Sequence, residues 1–287
     1  MSETPILITG ASGVVGRALC RALSGKNMPP LVCLSRNLAA SPERNATWVN
    51  GSLDEPGAWR EALAGVGCVV HLAQREPAAP AAACARLHVE GTRALVEACR
   101  AAGVPRLWML SSVHARGPAA DAWPWAKSLR EAESLVRASG LAWGVLRAPL
   151  VLGPRVPTAV RLAALSRWPV LPLAGGTRLE PLALDDLAAG LAHVALDPAL
   201  DGAAHELGGG TVLSLGELVT RLRAARGAGP ARCVPALRGL ASVFAPGAAA
   251  GWAALEREAV AEAGALAQAL GAERTSLDDL LKAVARL

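Results

Sequence analysis

The segment TGASGVVGRAL, Thr9 to Leu19, places three glycines at a spacing that suits phosphate binding. It lies between a strand-like run, ILI, and a helix-like stretch. Gly10 permits a tight turn, Gly13 lets the backbone approach a pyrophosphate, and Gly16 lets the helix pack close to the strand. Amides at the helix start, aided by the positive end of the helix dipole, then receive the phosphates. The loop predicts dinucleotide binding by Gly10, Ser12, Gly13, Val14, Val15 and Gly16, although G-x-x-G-x-x-G departs from the commoner G-x-G-x-x-G.

The end of the second predicted strand indicates which dinucleotide is preferred. An acidic side chain at this point would hold the ribose hydroxyls of NAD, but the chain has SRN, Ser35 to Asn37. Arg36 cannot accept a hydrogen bond, whereas it can pair with a 2'-phosphate. We therefore expect NADP(H) to be favoured over NAD(H). The alternative is that Arg36 is only a solvated loop residue.

Short apolar runs alternate with Ala- and Leu-rich helical stretches through the first half of the chain. The predicted strands are 6–8, 31–34, 47–49, 68–72, 107–110 and 143–146, and the predicted helices lie near 14–23, 56–64, 82–101 and 125–138. This alternation is typical of crossover units. It predicts an α/β fold with a doubly wound parallel Rossmann sheet, whose ligands bind at the carboxyl ends of the strands.

Beyond about residue 150 the pattern becomes irregular, since prolines at 154, 157, 169, 172 and 181 break it into short pieces. We expect residues 1–150 to form an NAD(P)-binding Rossmann domain. Residues 151–287 are expected to form a smaller C-terminal lobe that covers the substrate and is partly interleaved with the sheet.

Composition argues against several other classes of protein. The net charge is +5, but the 29 basic residues are scattered, which disfavours nucleic acid as a partner. The six cysteines form no C-x-x-C pair, no cluster has metal-ligand spacing, and the chain runs from MSETP directly into ILITG without a signal-like segment. The uncharged run at 239–255 is mostly Ala and Gly, so it is weakly apolar for a membrane span. We expect a cytoplasmic protein with no metal and no membrane partner.

Several segments, in the right order, resemble the extended short-chain dehydrogenase/reductase family, the group of NAD-dependent epimerases and dehydratases. Besides the glycine loop, these are GSLDEPGAWREALAGVGCVVHLAQ, HVEGTRALVEACRAAGVPRLWMLSS, LRAPLVLGP, PLALDDLAAGL and HELGGGTVLSLGELV. The resemblance implies that a dinucleotide also contacts Ser52, Leu53, Leu72, Ala73, Gln74, Ser111 and Pro149. It further implies a possible homodimer formed by two long helices.

Members of that family use Asn, Ser or Thr, Tyr and Lys, the last two as Tyr-x-x-x-Lys. Ser112 matches the serine, His88 stands at the asparagine position, and the chain contains no tyrosine. The segment DAWPWAKSLREAE allows two registers. One puts Trp125 and Leu129 at the Tyr and Lys positions; the other puts Trp123 and Lys127 there, with two extra residues before EAE. The first is favoured, because a two-residue slip would rotate the apolar face of the helix.

Neither register restores the proton relay, because an indole N–H does not ionise in the working range. Hydride transfer still needs only the cofactor, a held substrate and stabilisation of developing charge. The candidate catalytic residues are therefore Ser112, as a donor to a carbonyl, and His88 or His114, as a proton source near neutral pH. Trp125 and Lys127 are weaker candidates from the two registers. His88 has the alternative role of hydrogen-bonding the backbone, and the other three histidines are interpreted as structural.

Three functions remain open for this sequence. The first is an atypical NADP(H)-dependent reductase of a small carbonyl or conjugated substrate. The second is a non-redox lyase, isomerase or cyclase on the same fold. The third is a non-catalytic NADPH-sensing or scaffold protein. The eight tryptophans would suit an aromatic or polyene substrate, although core packing explains most tryptophans equally well.

Overall fold

A computed structural model describes residues 4–25, 28–37, 46–55, 57, 59–235, 255–262, 264, 266 and 274–287. All six predicted strands are present, each within a few residues of its expected bounds. The strands are β1 Ile6–Thr9, β2 Leu31–Ser35, β3 Ala46–Asn50, β4 Cys68–His71, β5 Arg106–Ser112, β6 Ala142–Ala148, β7 Leu150–Leu152, β8 Val170–Leu171, β9 Arg178–Leu179, β10 Pro181–Ala183, β11 Ala203–Glu206, β12 Leu213–Ser214 and β13 Arg232–Cys233.

The helices follow the sequence pattern less closely than the strands do. They are α1 Val14–Ala22, α2 Ala81–Cys84, α3 Gly91–Ala101, α4 Pro124–Arg137, α5 Pro157–Leu165, α6 Leu184–Leu196, α7 Leu215–Ala224 and α8 Leu277–Ala285. The helix predicted near 56–64 is only a 3-10 turn at Arg60–Leu63 in the described residues. The helix predicted over 82–101 is interrupted by a π-helical turn, Ala85–Glu90, between α2 and α3.

The main sheet has seven strands in the order β11-β6-β5-β4-β1-β2-β3, and every pair in it is parallel. The order reverses between β1 and β4, because the chain leaves β1 towards β2 and β3 and then returns to the other side. Ligands of doubly wound sheets bind at the carboxyl ends of the strands at this switch point. The predicted α/β doubly wound fold is confirmed.

Both faces of the sheet are covered, which explains why its central strands β1, β4 and β5 are mostly apolar rather than alternating. In β1, Ile6 and Ile8 pack into the core shared with α1 and α6, whereas Leu7 packs into the core on the opposite face. In β5, Trp108 lies on the first face and Met109 on the second. These alternating contacts fix the register of the central strands, since a one-residue slip would exchange the two faces.

Beyond β6 the chain builds a third core from short strands and helices. Leu152, Leu162, Leu171, Leu218 and Leu281 are fully or almost fully buried in it. One piece of this part of the chain returns to the main sheet, because Ala203–Glu206 pairs in parallel with β6 as the seventh strand. The split into domains at residue 150 stays a prediction.

Five of the six cysteines are buried, and all six are free thiols. In the part of the chain that the structure describes, no helix has the length and apolar character needed to cross a bilayer, and no group of His, Cys, Asp and Glu side chains is arranged to hold a metal ion. The uncharged run at 239–255 lies outside the described residues, except for its last residue.

Candidate functional site

The glycine loop joins β1 to α1 in the conformation that its residue types predict. Gly10 has a φ of +69°, which favours glycine, and its carbonyl accepts a 2.9 Å hydrogen bond from the Gly13 amide. Gly13 precedes the first turn of α1 as its N-cap. A Cβ on Gly16 would lie 2.4 Å from the Gly10 carbonyl oxygen, so glycine there is required by backbone packing.

A cleft of about 220 Å³ opens beside this loop at the switch point of the sheet. Of the residues predicted to bind a dinucleotide, nine line it: Gly10, Ser12, Gly13, Arg36, Ser52, Leu53, Leu72, Ala73 and Gln74. Five others from the sequence prediction do not line it: Val14, Val15, Gly16, Ser111 and Pro149. Lining residues that sequence reasoning missed are Thr9, Leu34, Ser35, Gly51 and Leu87. The strand-end residues among them could have been found from the predicted ends of β1 and β2.

Thr9 and His71 hold the floor of this cleft. The Thr9 hydroxyl oxygen accepts hydrogen bonds from the amides of Leu72 and Ala73, at 3.2 and 3.3 Å. It also lies 2.7 Å from Nδ1 of His71, whose Nε2 is 3.0 Å from the Thr92 hydroxyl. Since the Thr9 hydroxyl oxygen already accepts two hydrogen bonds, we infer that the hydroxyl donates its proton in a hydrogen bond to Nδ1 of His71. His71 is thus a buried structural residue that aligns two lining residues.

His88 makes both of its ring hydrogen bonds to structural partners. Its Nε2 accepts from the Arg75 amide at 2.8 Å, so Nδ1 carries the proton and donates to the Ser128 hydroxyl, also at 2.8 Å. Ser128 in turn donates to the Trp125 carbonyl. His88 lies inside the π-helical turn that interrupts the helix predicted over 82–101. Its alternative role, hydrogen bonding to the backbone, is the one that these contacts support.

Trp125 is anchored in the same group of contacts. Its indole N–H donates to the Arg75 carbonyl at 2.8 Å, and 8% of the residue is exposed. Arg75 directly follows Gln74, which lines the cleft and donates to the Leu110 carbonyl of β5. One loop therefore contacts both features: Gln74 lines the proposed cofactor cleft, and the next residue, Arg75, binds the Trp125 side chain.

Ser112 ends β5 and caps the 3-10 turn Val113–Ala115. Its hydroxyl oxygen accepts a 3.3 Å hydrogen bond from the His114 amide, and among the residues that the structure describes its proton has no acceptor. The preceding Ser111 differs, because its hydroxyl donates to Glu133 Oε1 at 2.6 Å. Of these two serines, Ser112 is therefore the one with a donor available to a substrate.

Three rings form an aromatic cluster next to Ser112: His114, Trp123 and Trp125. The centroid of Trp123 lies 4.9 Å from that of Trp125 and 5.2 Å from that of His114. Burial lowers the pKa of His114 to about 4, with Arg257 and Arg116 as further causes, and burial lowers the pKa of His88 to about 4. Lowered pKa values favour neutral imidazoles near pH 7, and the role of His88 and His114 as proton sources stays a prediction.

The two registers of the α4 segment differ in which side chains face the protein. Trp125 and Leu129 are buried on one face of α4, and Leu129 is fully buried. Lys127 is 52% exposed and lies 4.0 Å from Glu131. The structure therefore does not bring Lys127 into the site, because a residue two positions from Trp125 lies on another face of the helix. This arrangement supports the register that places Trp125 and Leu129 at the Tyr and Lys positions.

A buried ion network, which was not predicted from the sequence, lies next to Ser111. Glu133 accepts from Arg147 Nη2 at 2.6 Å, and Arg147 also lies 3.4 Å from Glu206. The hydrogen bonds to Glu133 raise the pKa of Arg147. Arg116 then extends the network from Glu206. Charged residues inside the family-like segments EAESLV and LRAPL were the available signal, but their pairing depends on the fold.

Three histidines, of which His71 and His88 are buried and His114 is half-buried, predict a folding stability that depends on pH. Burial lowers the pKa of His71 to about 3, below the ordinary value of 6.5, and His88 and His114 shift in the same direction. The unfolded chain therefore binds more protons, so stability is complete above about pH 6.5 and falls as pH falls towards 4. At a pH between its folded and unfolded pKa values, each such histidine changes the free energy of unfolding by about 1.4 kcal/mol per pH unit.

Urea unfolding between about pH 7 and pH 5 measures that slope. His71→Gln should reduce this slope, because it removes the most strongly shifted of the three imidazoles, whereas Ser134→Ala, at an exposed serine, should leave it unchanged. A free energy of unfolding that stays constant over this range would contradict the assignment of neutral buried histidines.

Known proteins are similar to this chain in sequence and in fold. Residues 6–201 match the model of the NAD dependent epimerase/dehydratase family. A ceramide reductase from Caulobacter vibrioides is 33% identical over 199 residues, which cover 68% of this chain and 62% of that relative. A 2-alkyl-3-oxoalkanoate reductase from Stenotrophomonas maltophilia is 31% identical over 250 residues, or 78% of this chain and 76% of that relative.

Among solved structures, triphenylmethane reductase from Citrobacter sp., complexed with NADP(H), superposes with a TM-score of 0.79 over 97% of this chain and 99% of that one. At 17% identity, this likeness concerns the fold. The reductase relatives and the matched family support an oxidoreductase of the short-chain dehydrogenase/reductase type with a nicotinamide cofactor. The glycine-loop cleft at the switch point of a seven-stranded parallel sheet agrees with that match, and the chain belongs to the NAD-dependent epimerase/dehydratase family.

Proposed function

We propose that this chain is an NADP(H)-dependent reductase of a small carbonyl or conjugated substrate, and that it works without a Tyr/Lys proton relay. The observation that carries the proposal is that two adjacent residues connect the cleft to the aromatic cluster. Gln74 lines the glycine-loop cleft, and Arg75 binds Trp125 of the cluster. A nicotinamide in the cleft would supply the hydride.

Ser112 is the residue proposed to hold the substrate. Its free hydroxyl proton can donate to a carbonyl oxygen and so stabilise the negative charge that develops there during reduction. Trp125 cannot act as an acid, and its N–H is already bound to the Arg75 carbonyl. Because lowered pKa values favour neutral imidazoles at His88 and His114 near pH 7, we propose that solvent or the substrate supplies the proton.

The preference for NADP(H) is proposed from Arg36. This residue is exposed, follows the carboxyl end of β2 and lines the cleft. Its planar guanidinium suits a phosphate, and SRN contains no carboxylate that would bind ribose hydroxyls instead.

A second candidate, the NADPH-sensing or scaffold protein, is favoured by one observation. Trp125 and Leu129, which the favoured register assigns to the Tyr and Lys positions, are both buried, and the Trp125 indole N–H is hydrogen-bonded. A non-redox enzyme on the same fold remains the third candidate, because Ser112 could polarise a carbonyl in either kind of reaction.

The first arm of the test measures cofactor binding by calorimetry. Wild-type protein should bind NADPH more tightly than NADH. Arg36→Asp should weaken NADPH binding by about tenfold or more, since it removes a charge-assisted phosphate contact. Arg178→Asp, at an exposed arginine remote from the cleft lining, is the matched control. Equal affinity for the two dinucleotides would contradict the NADP(H) preference.

The second arm measures turnover with a panel of aliphatic and aromatic ketones. A reductase oxidises NADPH in step with product, and Ser112→Ala should lower kcat/KM by about 100-fold while leaving NADPH affinity unchanged. Ser134→Ala, an exposed serine on α4, is the control. NADPH that binds without ever being oxidised would support the scaffold, and product formed without NADPH oxidation would support the non-redox enzyme.

A further inference from the structure

Residues 255–262 form a strap that crosses the C-terminal part of the molecule and is fixed along its length. Ala259 exchanges backbone hydrogen bonds with the β9 segment, donating to the Arg178 carbonyl at 3.0 Å and accepting from the Glu180 amide at 2.8 Å. Two buried carboxylates bind the end of the strap, since Glu180 accepts a hydrogen bond from the Ala261 amide and Glu206 accepts one from the Glu262 amide. The backbone that follows Arg257 is therefore held in place, and on the preceding side the Glu256 side chain accepts a 3.2 Å hydrogen bond from the Ala174 amide.

Arg257 is the residue by which the strap reaches the aromatic cluster. Its guanidinium carbon lies 4.8 Å above the centroid of Trp123, and it is close enough to His114 to be one cause of the lowered pKa of that residue. Arg116, by contrast, pairs with Glu206 at 3.0 Å and Glu262 at 2.8 Å. Among the described residues no carboxylate pairs with Arg257, so its charge is balanced only by the face of an indole ring.

We propose that Arg257 and the aromatic cluster form a subsite for the carboxylate of a planar, conjugated acid, held next to Ser112. The proposal rests on the proposed function, because it names the class of substrate for the same site. One face of the Trp123 indole is covered by the Arg257 guanidinium, so a conjugated chain or ring would pack against the remaining surface of the aromatic cluster, with its carboxylate at the N–H donors of Arg257. A carboxylate is the anion that this donor geometry fits in a bidentate pair.

The same arrangement explains why a neutral ligand would be disfavoured. A partly buried guanidinium with no anionic partner gains from a carboxylate, whereas an alcohol or ester would leave its charge unpaired. The acid is then preferred for two reasons: its carboxylate attracts the Arg257 guanidinium, and a neutral ligand would leave that guanidinium without an anionic partner.

The test uses the full chain, with and without saturating NADP+, and titrates two probes by calorimetry: trans-cinnamate and cinnamyl alcohol. The two share a planar conjugated frame and differ in the carboxylate. The wild-type protein should bind cinnamate at least about tenfold more tightly than the alcohol, and added salt should reduce this preference. Arg257→Gln should remove the preference, and Arg257→Lys should restore part of it. Arg178→Gln removes a charge that pairs with the same strap and should change nothing.

Three outcomes would overturn the proposal. These are failure to bind either probe, equal binding of acid and alcohol by the wild type, and equal weakening of both probes by Arg257→Gln. NADP+ binding is measured for each variant, so an Arg257→Gln variant that loses cofactor affinity instead would assign Arg257 to the cofactor. If NADP+ does not bind the wild-type protein, the proposed reductase function fails, while the probe titrations in the free protein still decide the subsite.

Discussion

Replacing Gly16 with alanine should lower NADPH affinity by about 100-fold, or about 2.7 kcal/mol, because the added methyl group has no space. Its Cβ would lie 2.4 Å from the Gly10 carbonyl oxygen and 2.6 Å from the Ala11 Cα. Both are backbone atoms, so relief requires α1 to move away from β1. That movement displaces the amides at the start of α1, which are the groups proposed to bind the pyrophosphate.

Gly176→Ala is the matched control, since a Cβ at Gly176 meets no atom within 4 Å. Calorimetric titration of both variants with NADPH, together with urea unfolding, separates a lost site from a lost fold. The expected pattern is a folded Gly16→Ala protein with weakened cofactor binding and a Gly176→Ala protein like the wild type. Unchanged NADPH affinity in Gly16→Ala would show that the dinucleotide does not depend on this loop.

Gly16 also shows why the glycine loop could be predicted from the sequence. The strand, the turn and the helix are neighbours in sequence, so local spacing determines their geometry. The same holds for the six strands that were predicted, each a continuous apolar run bounded by turn residues. The seventh strand, Ala203–Glu206, gives no such signal, because AAHE is short and partly polar and becomes a strand by pairing with β6.

The candidate site was less predictable because its contacts join distant segments. His88 was identified as a candidate from its position in a family-like segment, but its lowered pKa follows from burial, and its contacts with Arg75 and Ser128 are created only by the fold. Arg257 carried no signal at all, since its meaning depends on the strap lying over Trp123. Sequence patterns report local backbone requirements, whereas protonation and charge pairing are properties of the assembled structure.

Glu133→Ala should be among the most destabilising single substitutions in the chain, costing about 3–5 kcal/mol of unfolding free energy. Only 1% of Glu133 is exposed, and its carboxylate accepts from Ser111 at 2.6 Å and from Arg147 at 2.6 and 2.9 Å. Removing it leaves the Arg147 guanidinium, 13% exposed, with the longer 3.4 Å contact to Glu206 as its one carboxylate partner among the described residues. A buried cation that loses its main partner keeps the cost of desolvation without the compensating attraction.

Glu131→Ala is the control on the same helix, because its partner Lys127 lies 4.0 Å away and both side chains are about half exposed, at 47% and 52%. An exposed pair of this kind contributes at most about 0.5 kcal/mol. Urea unfolding at neutral pH measures both variants, and a loss below about 1 kcal/mol for Glu133→Ala would show that Arg147 finds compensation elsewhere. The substitution also removes the acceptor of the Ser111 hydroxyl, next to Ser112. Where the variant folds, turnover should therefore fall while NADPH affinity is kept, which links the buried network to the position of the proposed carbonyl donor.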